Sequence, residues 1–436
     1  MSAAQNDTAA REHARDLLAF IDASPSPWHA VATAATRLAG AGYQELPETD
    51  EWSLRPGGRY FVIRGGSSLI AFVAGHAALA HAGFRLVGAH TDSPGLRLKP
   101  RPLIRSEGFL RLGVEVYGGP ILATFADRDL GLAGRVQVRS GRGFEARLVQ
   151  IARPIARLAN LAIHMNRDVN EQGLKLHRQH ELPLLLALDG GSVEDPLDAL
   201  LSQQLGLPTG QIVAWELLAH DLQPGSVWGA REEFIANSQL DNLACTHAAL
   251  QALLQVDQPA HCAVAAFFDH EEVGSESSVG AAGSFLDDVL SRIAEGLRAH
   301  GSDLARARAR SVFISADMAH AWNPNFPAAY EPQHRLLVNG GPAVKHNASQ
   351  RYASESGGVA RFIGWCEAAG VPWQSDVHRS ELGCGSTIGP LVAARLGIPT
   401  VDIGAPMWSM HSARESAGVL DSWWLSKAIG QALQAG

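Results

Sequence analysis

Short, uninterrupted runs of apolar residues alternate with helix-forming segments through the second half of this 436-residue chain. The runs read "HCAVAAFF", "SVFISA" and "IPTVDIG", and each is followed by a segment of helical character. A strand that is apolar along its whole length has to be buried on both faces, which is typical of a parallel sheet covered by helices. The pattern therefore predicts an α/β fold with a mostly parallel sheet sandwiched by helices.

A segment of different character interrupts this pattern between about Leu96 and Glu233. Stretches such as "GFLRLGVEVYG" and "FEARLVQI" alternate apolar and polar residues at a period of two. This alternation is typical of antiparallel strands with one buried and one solvated face. A chain of this length exceeds one ordinary domain. We therefore interpret the change of pattern as an inserted β-rich domain at residues 97–235. The two parts of the α/β domain flank it at residues 1–96 and 236–436.

The charge and the cysteines narrow the classes of function. The formal net charge of −8 argues against nucleic acid as a partner, since phosphate binding requires basic patches. No apolar run reaches the roughly 18 residues that a membrane span needs, and we expect no signal peptide because the N-terminal segment lacks an apolar core. The four cysteines are scattered without a CxxC pair, which is typical of a cytoplasmic protein and excludes a thiolate zinc finger.

Polar residues gather where the predicted apolar strands end. The stretch "FFDHEEVGS" brings three carboxylates together directly after a buried strand, although their mutual repulsion destabilises a fold. A strand that simply ends at an acidic surface would explain this stretch alone. The carboxyl ends of parallel strands meet at one edge of a sheet, however, and the other strand ends and one helix start supply matching side chains. The predicted metal ligands at this edge are His90, Asp241, Glu272, Asp317 and His411.

This set of two histidines and three carboxylates suits two divalent cations that share one bridging carboxylate. Nitrogen and oxygen ligands without sulfur fit zinc, and also cobalt or manganese. Three carboxylates against two dications leave a net charge of about +1, enough to ionise a bound water near neutral pH. Glu271, beside a ligand but facing the water, has the position of a general base. Asp92 is placed to hold the second imidazole nitrogen of His90.

Seven motifs spread through nearly the whole chain resemble those of one enzyme family. They read "GAHTDSPGLRLKP", "SQLDNL", "DHEEVGS", "SADMAHA", "GPAVKHNASQRYA", "CGSTIGP" and "MHSARE". On these motifs the chain resembles the M18 family of metallo-aminopeptidases, the aspartyl aminopeptidases. The resemblance implies a phosphorylase/hydrolase-like catalytic domain of the zinc-peptidase type, interrupted by a β-rich dimerisation domain. It also implies an activity that removes the first residue of peptides with a free N-terminus.

The resemblance assigns roles to the predicted ligands. It implies two zinc ions per subunit that share Asp241 as a bridging ligand. Glu271 would act first as a base and then as an acid. The two ligand sets would be His90, Asp241 and Asp317 for one ion, and Asp241, Glu272 and His411 for the other.

The inserted domain contains "LAIHMNR", which matches the family pattern at His164. A lone histidine between apolar neighbours is most often a surface residue, and only the resemblance gives it a role. It implies that His164 reaches the active site of a neighbouring subunit, either as a metal ligand or as a contact to the substrate or oxyanion. The resemblance further implies dimers stacked into a hollow homododecamer that admits small peptides.

Substrate preference depends on the stretch "GPAVKHNASQRYA". The resemblance implies that this stretch lines the substrate pocket and that Lys345 reads an acidic side chain, Asp or Glu, with His346 and Tyr352 beside it. A solvated loop is the simpler interpretation of the same residues. Some family members prefer neutral residues, so an aminopeptidase with a neutral preference is an alternative.

Three other kinds of function use the same residues. A dinuclear metal deacylase or carboxypeptidase would prefer substrates with a free carboxylate and a blocked amine. A metal-binding protein without catalysis is disfavoured by an intact Glu271. A purely structural assembly protein would hold about two metal ions per chain and hydrolyse no peptide.

Overall fold

The computed structural model describes residues 3–190 and 195–435 of the chain. Short 3₁₀ turns occur at Leu122–Phe125, Glu271–Val273 and Pro327–Ala329. The α-helices are α1 (Ala3–Asp22), α2 (Pro27–Gly40), α3 (Leu79–Ala82), α4 (Val169–Gln172), α5 (Pro196–Leu205), α6 (Leu240–Leu254), α7 (Phe285–Gly296), α8 (Asp303–Ala309), α9 (Ser356–Ala369), α10 (Ile388–Leu396) and α11 (Asp421–Gln434).

The strands alternate with these helices in the two ends of the chain and follow one another directly in between. They are β1 (Gln44–Glu45), β2 (Arg59–Arg64), β3 (Ser68–Val73), β4 (Phe84–His90), β5 (Gly95–Ser106), β6 (Phe109–Tyr117), β7 (Leu130–Ser140), β8 (Gly143–Ala156), β9 (Leu184–Leu188), β10 (Ile212–Asp221), β11 (Ser226–Trp228), β12 (Phe234–Asn237), β13 (Cys262–Phe268), β14 (Val312–Ala316), β15 (Ala319–His320), β16 (Ala343–His346), β17 (Gln374–Val377), β18 (Thr400–Gly404), β19 (Pro406–Trp408) and β20 (Glu415–Gly418).

The chain forms two compact units. The β unit lies between Ser93 and Pro224 and also takes in His411–Arg414, and the α/β unit comprises the remaining described residues on either side. No helix in the described part of the chain is both long and apolar enough to span a bilayer.

The main sheet of the α/β unit is mixed. Its strand order among the described residues is β1-β2-β3-β13-β4-β14-β18-β16-β17. The centre, β13-β4-β14-β18, is parallel, but β3 runs antiparallel to both β2 and β13, and β16 runs antiparallel to β18. The β2–β3 hairpin turns at Gly65 and Gly66, whose φ angles of 62° and 73° favour glycine. The α/β class is confirmed, and the expected mostly parallel sheet is corrected to a mixed sheet with a parallel centre.

Helices cover both faces of this sheet, which explains why its central strands are apolar throughout. Along β13, Ala265 and Phe267 pack in one buried cluster, with side chains from α1, α2, α6 and α11. Val264 and Phe268 point the other way, into a cluster with α7, α8 and α10. Successive residues of a strand face opposite sides, so a strand buried on both sides has no polar positions.

The β unit contains an antiparallel sheet with strand order β8-β7-β10-β5-β6-β9. The buried faces of its strands pack around residues such as Leu132, Val136 and Leu217. Large apolar side chains also remain exposed on it, Phe144 and Leu188 among them. The exposed side chains of this unit thus include apolar as well as polar residues.

Candidate metal centre

The ends of three neighbouring parallel strands form one edge of the α/β sheet. β4 ends at His90, which is in register with Phe268, the last residue of β13. β14 lies on the other side of β4 and is followed by Asp317, whose N–H donates to the carbonyl oxygen of Ile403 at 2.9 Å. Only glycine fits beside it, because a Cβ at Gly404 would lie 1.9 Å from the carbonyl oxygen of Asp317. His90 and Asp317 therefore lie at adjacent strand ends.

The ligand atoms at this edge have the spacing of a metal site. His90 Nε2 lies 3.5 Å from Asp241 Oδ1 and 3.5 Å from Asp317 Oδ1. Ligand atoms around a tetrahedral zinc ion with bonds of 2.0–2.1 Å are about 3.3 Å apart. A second group, His90 with Glu271 and Glu272, also has its ligand atoms within 4.8 Å of one another. Imidazole and carboxylate groups at these distances fit zinc.

The start of α6 brings Asp241 to the strand ends. Asp241 and Asn242 have non-helical dihedral angles, and the peptide bond between them is cis, so the regular helix begins after them. The Asn242 amide donates to the last carbonyl of β14 at 2.8 Å, and the Thr246 hydroxyl donates to the last carbonyl of β4 at 2.8 Å. The helix is thus tied to the two strands that carry His90 and Asp317.

Asp92 holds three groups of the site at once. Its backbone oxygen lies 3.0 Å from His90 Nδ1, which leaves His90 Nε2 for a metal ion. Its two carboxylate oxygens accept hydrogen bonds of 3.1 Å from the N–H groups of Glu271 and Glu272. The side chain is fully buried. Asp92 therefore orients the imidazole through its main chain and the two glutamates through its side chain.

Burial and repulsion disfavour the ionised forms of Glu271 and Glu272 and so raise their pKa values. Burial raises the pKa of Glu271 to about 8, and the charges of Asp317 and Asp92 add to this effect. Burial and the neighbouring Asp241 raise the pKa of Glu272 well above its usual range. Burial lowers the pKa of His90, but hydrogen bonds to the surrounding carboxylates outweigh it and raise that pKa overall. A divalent cation would reverse these shifts, so the donor set fits a positively charged ligand.

His411 lies in the β unit. Its Nδ1 is 3.1 Å from the carbonyl oxygen of Gly119, and its backbone oxygen accepts from the N–H of Ile121 at 2.9 Å. The hydrogen bond from Nδ1 leaves Nε2 as the nitrogen for a metal ion.

Lys345 is next to the predicted ligands. Its side chain is buried, and its Nζ lies 3.3 Å from Asp317 Oδ2 and 5.3 Å from the centre of the Tyr352 ring. His346 follows Lys345 on β16, so its half-buried side chain points to the opposite face of the strand. Of the three predicted pocket residues, Lys345 and Tyr352 therefore lie together, and His346 faces away from Lys345.

His164 lies in an exposed turn of the β unit. Its neighbours Leu161 and Met165 expose 63% and 74% of their surface. His164 is therefore an exposed imidazole between exposed apolar side chains.

Two features of the α/β unit were not predicted. Glu415 is buried, and its Oε2 accepts the N–H of Asp241 at 3.0 Å. Asp376 and His378 face each other near Lys345, with 3.7 Å between Asp376 Oδ2 and His378 Nε2. Glu415 belongs to the quoted motif "MHSARE", but a single glutamate at the start of a short strand gives no signal of burial. Asp376 lies in a short segment without clear periodicity, so its neighbours were not predictable.

Sequence comparisons give the same family as the motifs. The profile of the family described as "Aminopeptidase I zinc metalloprotease (M18)" matches residues 20–429. A "Probable M18 family aminopeptidase 2" from Streptomyces coelicolor is 45% identical over 430 residues, which cover 97% of this chain and 98% of the relative. A protein of the same description from Pseudomonas paraeruginosa is 47% identical over 418 residues, covering 95% and 96%.

Solved structures with a similar fold cover nearly the whole chain. A structure of the Ape4 and Nbr1 complex has a chain 37% identical to this one with a TM-score of 0.95, covering 100% of this chain and 87% of that chain. The mApe1 dodecamer of S. cerevisiae is 26% identical with a TM-score of 0.82, covering 97% and 96%. An M18 aminopeptidase from Thermotoga maritima, at 22% identity and a TM-score of 0.88, covers 100% and 97% and has the same fold.

Proposed function

This chain belongs to the M18 family of zinc metallo-aminopeptidases and is a peptide hydrolase, and we propose a finer function for it. In this proposal it is a dinuclear zinc enzyme that removes an N-terminal Asp or Glu from peptides. The observation that carries the dinuclear part is the spacing of His90, Asp241 and Asp317, with Glu272 adjoining Asp241. In this proposal Asp241 would be a ligand of both ions, and His411 would complete the second ligand set. Cobalt or manganese suits the same donors.

Within the site, each residue has a distinct task. When bound, the two zinc ions would lower the pKa of a water molecule and polarise the carbonyl group of the substrate. Glu271 accepts the proton of the attacking water and delivers it to the leaving amine. Asp92 keeps the Glu271 main chain in place during this transfer, through the hydrogen bond of 3.1 Å to its N–H. His164 of a neighbouring subunit stabilises the tetrahedral oxyanion or serves as a further ligand.

A panel of aminoacyl chromogenic substrates tests this activity. We expect Asp and Glu derivatives to be cleaved faster than Leu derivatives with zinc, cobalt or manganese present. N-acetylation should abolish cleavage, because a blocked amine cannot be held at the metal site. A dinuclear deacylase or carboxypeptidase would give the reverse result with acetylated peptides. Faster cleavage of Leu than Asp derivatives would retain the aminopeptidase and replace the acidic preference by a neutral one.

Lys345 is proposed to read the acidic side chain. A buried ammonium opposite a carboxylate contributes about 1.5–3 kcal/mol. We therefore expect Lys345→Met to lower kcat/KM by roughly 10–100-fold for Asp substrates and to change it little for Leu substrates. The measurement is steady-state kinetics on both substrates, with the zinc content of each variant determined in parallel.

The matched control for this substitution is Lys427→Met, which removes a lysine beside Trp423 on α11. It should leave both substrates unaffected. Because Lys345 also contacts Asp317, a loss of zinc with equal losses on both substrates would assign Lys345 to holding that ligand and not to reading the substrate.

We propose further that the β unit forms homodimers, and that these assemble into a homododecamer in a reducing cytoplasm. Supporting the assembly are the apolar side chains exposed on the β unit and the dodecamer of the mApe1 relative. Supporting the location, the thiols of Cys245, Cys262, Cys366 and Cys384 are free.

Complementation between two inactive variants tests whether His164 acts on the active site of the neighbouring subunit. Chains with His164→Ala and chains with Glu271→Gln should each be inactive, and refolding them together should restore part of the activity. Random pairing gives about half mixed dimers, with one repaired site in each, so about a quarter of all sites recover. Size-exclusion chromatography of differently tagged chains verifies the exchange. A mixture as inactive as its parents, despite exchange, would show that His164 does not act in trans.

A further inference from the structure

A carboxylate on β17 and an imidazole directly after this strand lie near Lys345. β16 and β17 are parallel, and their register pairs Lys345 with Asp376. Strands in such a sheet are about 4.8 Å apart and paired residues point to the same face. His378 is the first residue after β17, and its contact with Asp376 places it on the same side. Lys345 therefore has an acidic neighbour besides its contact with Asp317.

Asp376 and His378 face each other in a largely enclosed space. Asp376 Oδ2 lies 3.7 Å from His378 Nε2, and the two side chains are exposed by only 6% and 17%. Each of these two atoms is shielded from solvent, and neither has a hydrogen-bond partner in the described part of the chain. The ring centres of His320 and Tyr352 lie 5.2 and 6.2 Å from that of His378. A closure of less than 1 Å would make the Asp376–His378 contact a normal hydrogen bond.

Because of the charges around Lys345, the Asp376–His378 pair affects how acidic side chains bind there. In the proposed function Asp317 is occupied by zinc, and the other carboxyl groups near the ammonium group are those of Asp376 and Asp402. Asp402 accepts hydrogen bonds from the Thr387 hydroxyl and the Ala353 N–H, whereas Asp376 Oδ2 has no such partner in the described part of the chain. An acidic substrate side chain has to approach Lys345 against the repulsion of that carboxylate. Burial raises the pKa of Asp376, while the charges of His378 and Lys345 act in the opposite direction. The imidazole of His378 thus competes with Lys345 for the same carboxylate.

We propose that the Asp376–His378 pair sets how strongly this pocket discriminates between acidic and neutral N-terminal side chains. Asp376 weakens the binding of acidic side chains by opposing Lys345. His378 offsets this when it closes on Asp376 by less than 1 Å and donates a hydrogen bond to it, so that the Lys345 charge stays available. This inference rests on the proposed function and makes Asp376 and His378 determinants of its substrate class.

Three variants test the pair through one ratio, kcat/KM for an Asp substrate divided by kcat/KM for a Leu substrate. Asp376→Asn, which keeps the shape of the side chain, should raise this ratio by roughly three- to tenfold. His378→Ala should lower the ratio by a similar factor, roughly three- to tenfold, because the charge of Asp376 then interacts with Lys345 without a competing imidazole. The double variant should regain the raised ratio of Asp376→Asn, since without the carboxylate His378 has nothing to offset.

The control is Ser375→Ala, on the same strand but on its opposite face, which should leave the ratio unchanged. Thermal unfolding of all variants identifies any loss of folding. An unchanged ratio in Asp376→Asn overturns the proposal, as does a loss in His378→Ala that persists in the double variant. Should His378→Ala not fold, Asp376→Asn alone still decides.

The failure of the proposed function would look different, because no aminoacyl substrate would then be cleaved at all. In that case the binding of free aspartate and leucine, measured by calorimetry on the zinc-loaded protein, replaces the kinetic ratio. Asp376→Asn should shift binding toward aspartate, and equal affinities before and after the substitution would overturn the inference.

Discussion

Replacing Glu271 by Gln is expected to lower kcat by roughly 10²–10⁴-fold, the usual contribution of a general base. The amide keeps the shape of the side chain but cannot accept the proton of water. Glu271 is nearly buried beside His90, at 3.9 Å from its Nε2, and its main chain is fixed by Asp92. The variant should therefore keep its metal ions and its affinity for substrate. Steady-state kinetics and metal analysis of the purified protein measure both quantities.

Glu272→Gln is the matched control, since it changes the adjacent glutamate in the same 3₁₀ turn. It should lose metal, because Glu272 is assigned as a ligand and an amide is a weaker donor for zinc. If Glu271→Gln loses metal while Glu272→Gln retains it, the roles of the two glutamates are exchanged.

Substituting Asp241 by Ala should remove both zinc ions and, with them, all measurable peptidase activity. Asp241 is the one residue assigned to both ligand sets, and its Oδ1 lies 3.5 Å from His90 Nε2. Losing a shared ligand leaves each ion with an incomplete set, and the remaining buried carboxylates then repel one another without compensation. Metal content after dialysis, together with the shift of the unfolding temperature on adding zinc, measures the effect.

Asp257→Ala provides the comparison, because Asp257 is an exposed aspartate near Arg59. It should retain full metal content and the same response to zinc. An Asp241→Ala protein that still holds two zinc ions per chain would remove Asp241 from the bridging position.

The positions of the ligands were predictable because they depend on the ends of strands. An apolar run such as "CAVAAFF" defines its own end, and in a parallel centre neighbouring ends meet at one edge. His90 and Asp317 lie at that edge for this reason. The mixed sheet was not predictable to the same degree, since the direction of a strand depends on which strand it joins. The apolar run of β3 reads the same whether β13 beside it is parallel or antiparallel.

The surroundings of Lys345 were harder to predict than Lys345 itself. Its buried neighbours come from a strand about thirty residues later, and they depend on the register of β16 with β17. A shift of one residue would turn Asp376 to the other face. Nothing in "VPWQSDV" fixes that register before the sheet is known. The same applies to Glu415, which contacts Asp241 only because β20 brings it there.

The hydrogen bonds of Asp92 affect the free energy with which the site binds its metal. One buried aspartate holds the imidazole of His90 and the main chains of Glu271 and Glu272 in a fixed arrangement through its three oxygen atoms. The conformational entropy of ordering these donors is therefore lost when the chain folds and not when zinc arrives. Preorganised donors leave more of the intrinsic coordination energy for affinity. The main chain of Glu271, the proposed base, is held by Asp92 through the protein alone, so binding zinc and gaining activity are expected to occur together.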